Sequence, residues 1–420
     1  MRRRVLRPRR VARHGPRPSV PILRRVVQGE TEPEGLGRRE LLPGVVLMKN
    51  RSCGFRAGPW VGLLLAFALV AAGCGDGAGD AAGDDAAETE AAGGDTAADA
   101  DADTADSTGT IEIPDEETRS FSFAHPSVPL IGHVAIHAAL DRMREEGFEI
   151  EEPRIAESEL VAEGVARDEF QMASAGANSP ILLAQQDAPL RVLMQRNGND
   201  WALFGVTDIE DCEDLDGRDL AIHSEGGVSA AIIRHWIEEN CPGTEPRYLT
   251  IPGGPNRAQA MLAGQVEAAP VQLDQVLELE AQGEGRFHVI SNYAQEIPVL
   301  MTYAIFGNSE FIEQNPNVVK LFLMRVIEEH RAISEDSEYL GDLIREYLPD
   351  YPEEQIEPAS ELYVESDQFD PNGGASDEIL NFTIDFYQEA EVVEQEPAIT
   401  PDDIAARGLL EEVLDIMGRV

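Results

Sequence analysis

Lysine is almost missing from this chain. Lys49 and Lys320 are the only two in 420 residues, so nearly every cationic contact falls to arginine, which a coding bias explains as well as a function does. No apolar run is long enough to cross a membrane: the longest, Trp60 to Val70, falls short of the ~20 residues a spanning helix needs. No repeat of fixed period is present, which sets aside solenoids and propellers. There is no G-x-S-x-G elbow, so His223, Ser229 and Asp219 do not read as a hydrolytic triad, and Asp219 and His223 share a strand face for ordinary structural reasons. There is no H-E-x-x-H either. His133 and His137, four apart with His125 nearby, read as a packed helix face rather than a zinc site. No catalytic residue, metal or cofactor is expected.

Basic charge is scarce and unevenly placed. Of 33 Lys and Arg, 15 lie at or before Cys74, with only 4 of the 78 acids, so the remainder carries a net charge of about −56. Such a surface disfavours nucleic acid and anionic lipid, and repels anions at long range unless salt screens it. It reads as solvation adapted to high salt and only weakly as cation capture.

The leader comes in three parts. Residues 1–47 are rich in Arg and Pro without apolar periodicity, and read as a misassigned start or a disordered leader ahead of Met48. Residues 48–73 follow the lipoprotein signal pattern: basic residues Lys49, Arg51 and Arg56, an apolar centre, then Ala71-Ala72-Gly73 before Cys74. Cys74 is the expected lipidation site and first mature residue, although Ala71 stands where the usual lipobox prefers Leu. Residues 74–118 are Gly, Ala, Asp and Thr with few large apolar residues, too little to bury a core, and read as a disordered acidic tether spanning about 35 Å as a coil.

The 300 or so residues that follow alternate strands and helices, which favours parallel sheets covered by helices. Their length suits two lobes rather than one core. The organising stretch is Leu215 to Asp274. Leu220 to Ile222 reads as a strand, His223-Ser224-Glu225-Gly226-Gly227 as a turn, and the run from Ser229 as a helix with Ile232, Ile233, Trp236 and Ile237 on one face. Tyr248 to Ile251, Asn256 to Leu262 and Val266 to Ala269 repeat the alternation. A second strand-to-helix turn lies at Ala173 to Pro180, with Asn178 or Ser179 as the expected N-cap. Ligands sit at the carboxyl ends of such strands, facing helix N-termini. The expected ligand contacts are therefore Phe123, His125, Gly176, Asn178, Ser179, Trp201, Gly226, Gly227, Val228, Ser229 and Gln272. Core packing is an equal alternative for Phe123 and Trp201. Cys212, before one strand, and Cys241, ending the helix that runs back from it, should lie together at the far end of that lobe. An exported chain permits a disulfide there, worth ~3 to 4 kcal/mol, with two buried thiols or a metal pair as alternatives.

Three motifs in order, Asp214-Leu215-Asp216-Gly217-Arg218, Gly226-Gly227-Val228-Ser229 and Gly264-Gln265-Val266-Glu267-Ala268-Ala269, resemble the substrate-binding proteins of ABC importers for nitrate, sulfonates, taurine and thiamine precursors. The similarity runs from about Arg119 to about Gly418. Phe311 to Val319 resembles the family's F-x-x-x-N-P-x-V-V helix start, and Phe382 to Val393 with Ala398 to Val413 its closing helices. The resemblance implies an α/β, two-lobed, type II periplasmic-binding-protein fold, each lobe a sheet flanked by helices, with two hinge crossings near Arg196–Ala202 and Ile297–Thr302. Lobe one is then 119–202 with 297–420, and lobe two 203–296. It further implies an extracytoplasmic monomer, lipid-anchored to the membrane, that passes a small solute to an ABC permease. Alternatives on the same fold are a solute sensor docking on a membrane receptor and a biosynthetic enzyme. Gln272-Leu273-Asp274 replaces the W-E-P often seen in similar proteins, which speaks against thiamine precursors.

Overall fold

The computed structural model describes residues 111–126 and 129–420. The leader, Cys74 and the tether up to residue 110 lie outside the described residues. Order begins ahead of Arg119. Glu117 is buried and its carboxylate accepts from the backbone N–H groups of Asn317 and Val318, each at 2.9 Å, at the start of a long helix. A carboxylate there complements the partial positive charge of the helix N-terminus.

The first lobe opens with β1 (Ser120–Pro126), one 3-10 turn (Ile131–His133) and α1 (Val134–Glu145). It continues through β2 (Glu149–Glu151), β3 (Arg154–Ile155), α2 (Ser158–Ala166), β4 (Met172–Gly176), α3 (Asn178–Gln185) and β5 (Leu190–Gln195). After residue 195 the chain passes to a second sheet through β6 (Trp201–Val206), β7 (Asp219–Ile222), α4 (Val228–Asn240), β8 (Arg247–Thr250) and α5 (Gly254–Leu262). β9 (Ala268–Gln272), α6 (Leu273–Gln282), β10 (Phe287–Asn292) and α7 (Tyr293–Glu296) complete that lobe. The chain then returns with β11 (Tyr303–Asn308), α8 (Ser309–Gln314) and α9 (Pro316–Glu335). It ends in α10 (Ser337–Tyr347), α11 (Glu353–Glu365), α12 (Asp377–Glu389), α13 (Pro401–Ile404) and α14 (Arg407–Met417).

The sheets run β2-β1-β4-β11-β5, with β3 beside β1, and β10-β6-β9-β7-β8. The expectation of parallel sheets holds for β7 with β8 and β9, and for β1 with its neighbours. It needs correcting at β6 and β11, which pair antiparallel with β9 and with β4 and β5. The reason is topological: a strand arriving from the other lobe enters its sheet at the end where the neighbouring strands finish, so it must run the other way. This places Trp201 opposite Gln272, and Tyr303 opposite Gly176. Trp201, Gln272, Tyr303 and the Gly176 backbone thus meet at the gap between the sheets.

Packing follows the sequence pattern closely around the first core. Phe123 is fully buried with its ring 5.2 Å from Phe322 of α9, and Ile136, Leu140 and Met143 of α1 join the same core. In the second lobe Ile232, Ile233 and Ile237 bury one face of α4, and truncating any of them to Ala should cost about 2–5 kcal/mol. Cys212 and Cys241 are joined by a disulfide with Cα atoms 6.0 Å apart, tying the loop before β7 to the end of α4. Among the described residues no helix is long and apolar enough to cross a membrane.

Candidate functional site

Five polar contacts link the two lobes and the segment that joins them. Asn178 Nδ2 donates to the Gly226 carbonyl at 2.5 Å, and Ser224 Oγ donates to Glu159 Oε1 at 2.6 Å. Gln272 Nε2 donates to the Tyr303 hydroxyl oxygen at 2.9 Å, and the Tyr363 hydroxyl lies 3.2 Å from both Asp200 Oδ2 and Asp274 Oδ1. The cleft is therefore closed. A small, partly open cavity of about 50 Å³ lies between the lobes.

Its walls carry an ordered stack. The Arg257 guanidinium sits 5.3 Å from the Trp201 ring, the indole and the Tyr303 ring stack at 6.1 Å, and the Arg196 guanidinium lies 3.7 Å from Tyr303. Both arginines are buried, 1 % and 0 % exposed, and neither has a carboxylate within salt-bridge distance among the described residues. Arg257 is aimed by two carbonyls of its own lobe, Pro270 at 2.8 Å from Nε and Ile251 at 3.2 Å from Nη1, which leaves Nη2 without a partner. Burial lowers its pKa to about 10, so it remains charged at neutral pH. Arg196 is held by Asn197 Oδ1, 2.8 Å from Nε.

Two histidines supply further donors. His223 Nδ1 accepts the Gly253 N–H at 3.2 Å, so in the neutral ring the proton sits on Nε2, which has no acceptor. Burial, with the nearby Arg257 charge, lowers this ring to about 4 and keeps it neutral. His133 Nδ1 likewise accepts the Leu130 N–H at 3.1 Å, and burial followed by the Arg196 charge holds it well below the usual histidine range. Its Nε2 lies 2.9 Å from Arg196 Nη1, and because a neutral ring has only one acceptor nitrogen, it cannot accept from both Leu130 and Arg196. Trp201 Nε1 is also buried without a partner. The cavity thus gathers unpaired N–H donors of the second lobe, Arg257 Nη2, His223 Nε2 and Trp201 Nε1, beside two unpaired amide oxygens, Gln272 Oε1 and Asn178 Oδ1. Leaving such groups unpaired costs about 1–3 kcal/mol each.

Of the residues expected from sequence, Gly176, Asn178, Trp201, Gly227, Val228, Ser229 and Gln272 line this cavity. Ser229 Oγ accepts the His223 backbone N–H at 2.9 Å, which frees its hydroxyl proton for a ligand. The backbone, not the imidazole, makes that bond, and Asp219 pairs instead with Arg247 at 2.7 Å, so the triad atoms are not assembled. Four expected contacts lie elsewhere. Phe123 belongs to the core because strand alternation turns it toward α9. His125 faces His137 and Glu152 behind the cavity wall. Ser179 and Gly226 border a separate surface groove with Glu159 and Arg234. The expected N-cap also shifts: Ala177 holds that position, and Asn178 opens the helix, free to reach across to Gly226. Arg196, Arg257, His133, Tyr303 and the Gly253-Gly254 pair were missed. Gly254 is constrained: a Cβ there would fall 2.0 Å from Gln272 Oε1.

Beside the cavity, burial pushes Asp274 up to about 7, with the neighbouring Asp200 charge adding to it. Burial pushes Asp200 up to about 6 against the pull of Arg196. The Tyr363 hydroxyl between them can accept from a protonated Asp274 while donating to Asp200.

The sequence pattern of the family described as NMT1/THI5 like matches residues 143–329. No curated protein matches the sequence. Among solved structures, the periplasmic nitrate-binding protein NrtA from Synechocystis PCC 6803 superposes with a TM-score of 0.57 at 15% identity, over 72% of this chain and 90% of that one. The alkanesulfonate-binding protein SsuA from Xanthomonas axonopodis pv. citri, bound to MOPS, gives 0.54 at 12% identity, over 70% and 98%. A Candida albicans protein, CA3427, described as having the generic periplasmic binding protein fold, gives 0.52 at 14%, over 71% and 95%. The chain therefore has the two-lobed fold of the periplasmic binding proteins, with an NMT1/THI5-like stretch at residues 143–329.

Proposed function

We propose that this protein is the extracytoplasmic solute-binding component of an ABC importer, and that its cargo is a small anion held between the lobes. The observation that carries the reading is a pair of buried arginines without a carboxylate partner among the described residues, Arg196 and Arg257, on one cavity with the unpaired N–H groups of Arg257, His223 and Trp201. A small anion, such as nitrate or bicarbonate, matches the charge and the narrowness of the cavity. Gln272 Oε1 and Asn178 Oδ1, buried acceptors without donors, favour an anion that also carries one O–H or N–H. The similarity to nitrate- and sulfonate-binding proteins supports the same class. Delivery to an ABC permease, a lipid anchor at Cys74 and a monomeric state complete the proposal, and the protein is not assigned a catalytic role.

A thermal-shift screen at high salt against nitrate, bicarbonate, formate, taurine, alkanesulfonates and thiamine pyrimidines tests it. An anion at 100 times its dissociation constant should stabilise the protein by ~2.7 kcal/mol. A response to the small anions and none to the pyrimidines supports the reading. Stabilisation by pyrimidines alone contradicts it.

A further inference from the structure

The histidine pair expected on one helix face is divided between two environments. His133 turns to the cavity, while His137 turns away from it and meets His125 and Glu152. His125 Nε2 lies 2.9 Å and His137 Nδ1 2.7 Å from the same oxygen, Glu152 Oε2. The three candidate ligand atoms lie within 4.8 Å of one another. They come from three segments: the end of β1, the first turn of α1, and the link after β2. Both rings are buried, and His125 Nδ1 and His137 Nε2 have no protein partner. The Glu152 carboxylate is fixed from behind by Arg144, 2.6 Å from Oε1.

We infer that His125, His137 and Glu152 form a binding site for a divalent transition-metal ion of the zinc class. Two imidazole nitrogens and one carboxylate oxygen are a borderline donor set that suits Zn²⁺ and not Ca²⁺ or Mg²⁺. Metal–ligand distances of ~2.0–2.2 Å are reached if the three groups separate by a few tenths of an ångström around the ion, with both ring protons on the outer nitrogens. The outer face is open: His137, Asp141, Glu152, Arg154 and Tyr347 line a surface pocket of about 250 Å³. Asp141 follows His137 by one helical turn, so its carboxylate or a water can fill a fourth position. Asp141 is held by Arg144 at 2.5 Å and by the Tyr347 hydroxyl at 3.0 Å. Arg144 and Arg154 balance the two acids, so affinity comes from the imidazole lone pairs rather than from excess negative charge. The ion pins His125, whose ring is 5.6 Å from that of His133, and so stiffens the cavity wall from behind.

The test is Zn²⁺ titration of the chelator-stripped full chain in high salt, which suppresses diffuse binding to acidic segments. One Zn²⁺ per chain at micromolar affinity or tighter is expected, weakened at least tenfold by His137→Ala and by Glu152→Gln and unchanged by His288→Ala. Absence of saturable binding, or binding equal in His137→Ala, overturns the inference. If either variant fails to fold, the Co²⁺ absorption of the unaltered chain decides. Intense visible bands of a four-coordinate nitrogen–oxygen site support it, and the weak spectrum of hydrated Co²⁺ contradicts it.

Discussion

Each lobe brings an aromatic ring and a buried arginine to the cleft, but they are built differently. In lobe two, Arg257 rises from the first turn of α5, anchored to two backbone carbonyls of that lobe, and covers Trp201 at the start of β6. In lobe one, Arg196 sits on the hinge itself, anchored by Asn197 with His133 Nε2 2.9 Å from Nη1, and covers Tyr303 at the start of β11. Arg257 is anchored within its own lobe, whereas Arg196 lies in the segment that joins the two sheets. Two like charges in a buried space are costly without a counter-charge, and on the proposed reading an anionic cargo supplies it. Asp200 offsets part of that charge from the lobe-one side. Affinity of the ligand for the closed state over the open one then follows from the contacts it makes to both arginines at once.

The comparison can be broken most forcefully at the arginines. Arg257→Gln should weaken binding of the preferred anion about 100-fold, roughly 3 kcal/mol, with the melting temperature little changed in its absence. Arg196→Gln should do the same and also alter closure, since it acts on the hinge. Calorimetry on both variants checks this, and equal affinity to the parent in either one removes that lobe from the site. A second effect concerns the acids between the lobes. Because burial raises the Asp274 pKa in the folded state, the fold binds this proton more tightly than the unfolded chain does. Stability from this group is full at acid pH and is lost as pH rises toward about 7. Asp274→Asn should therefore match the parent below about pH 4 and exceed it progressively up to about pH 7, by at least roughly 2 kcal/mol near about pH 8, in chemical denaturation. A pH-independent difference contradicts this. Third, Gly254→Ala places a methyl group against Gln272 and should cost about tenfold in affinity, ~1.4 kcal/mol, while the fold persists. The smallest effect separates two serines expected together from sequence. Ser229→Ala should weaken binding a few-fold, and Ser179→Ala, outside the cavity, should leave it unchanged.

Much of the scaffold was legible because it rests on local patterns. The Gly226-Gly227 turn, the apolar face of α4 and the strand before it follow from period and turn chemistry. The antiparallel hinge strands were not, since pairing direction depends on which lobe a strand arrives from. Helices α10 and α11 went unassigned: Leu340, Leu343 and Ile344 form only a short stripe, and Pro358 lies inside α11, where it reads as a breaker. In the site, Trp201 and Gln272 were found from their positions beside hinge and turn. Arg196 and Arg257 were not, because in a chain with almost no lysine nothing distinguishes a buried arginine from the exposed ones. His125 and Phe123 were placed on the cleft by proximity to the first strand's end, and alternation along β1 sent both inward.

The claim that an anion closes the lobes by joining Arg196 and Arg257 is tested most directly by small-angle X-ray scattering. The protein is measured with and without the anion identified by thermal shift, alongside Arg257→Gln. The account predicts contraction on adding the anion to the unaltered protein and none in the variant. Equal dimensions with and without saturating anion, or full contraction in Arg257→Gln, would contradict it.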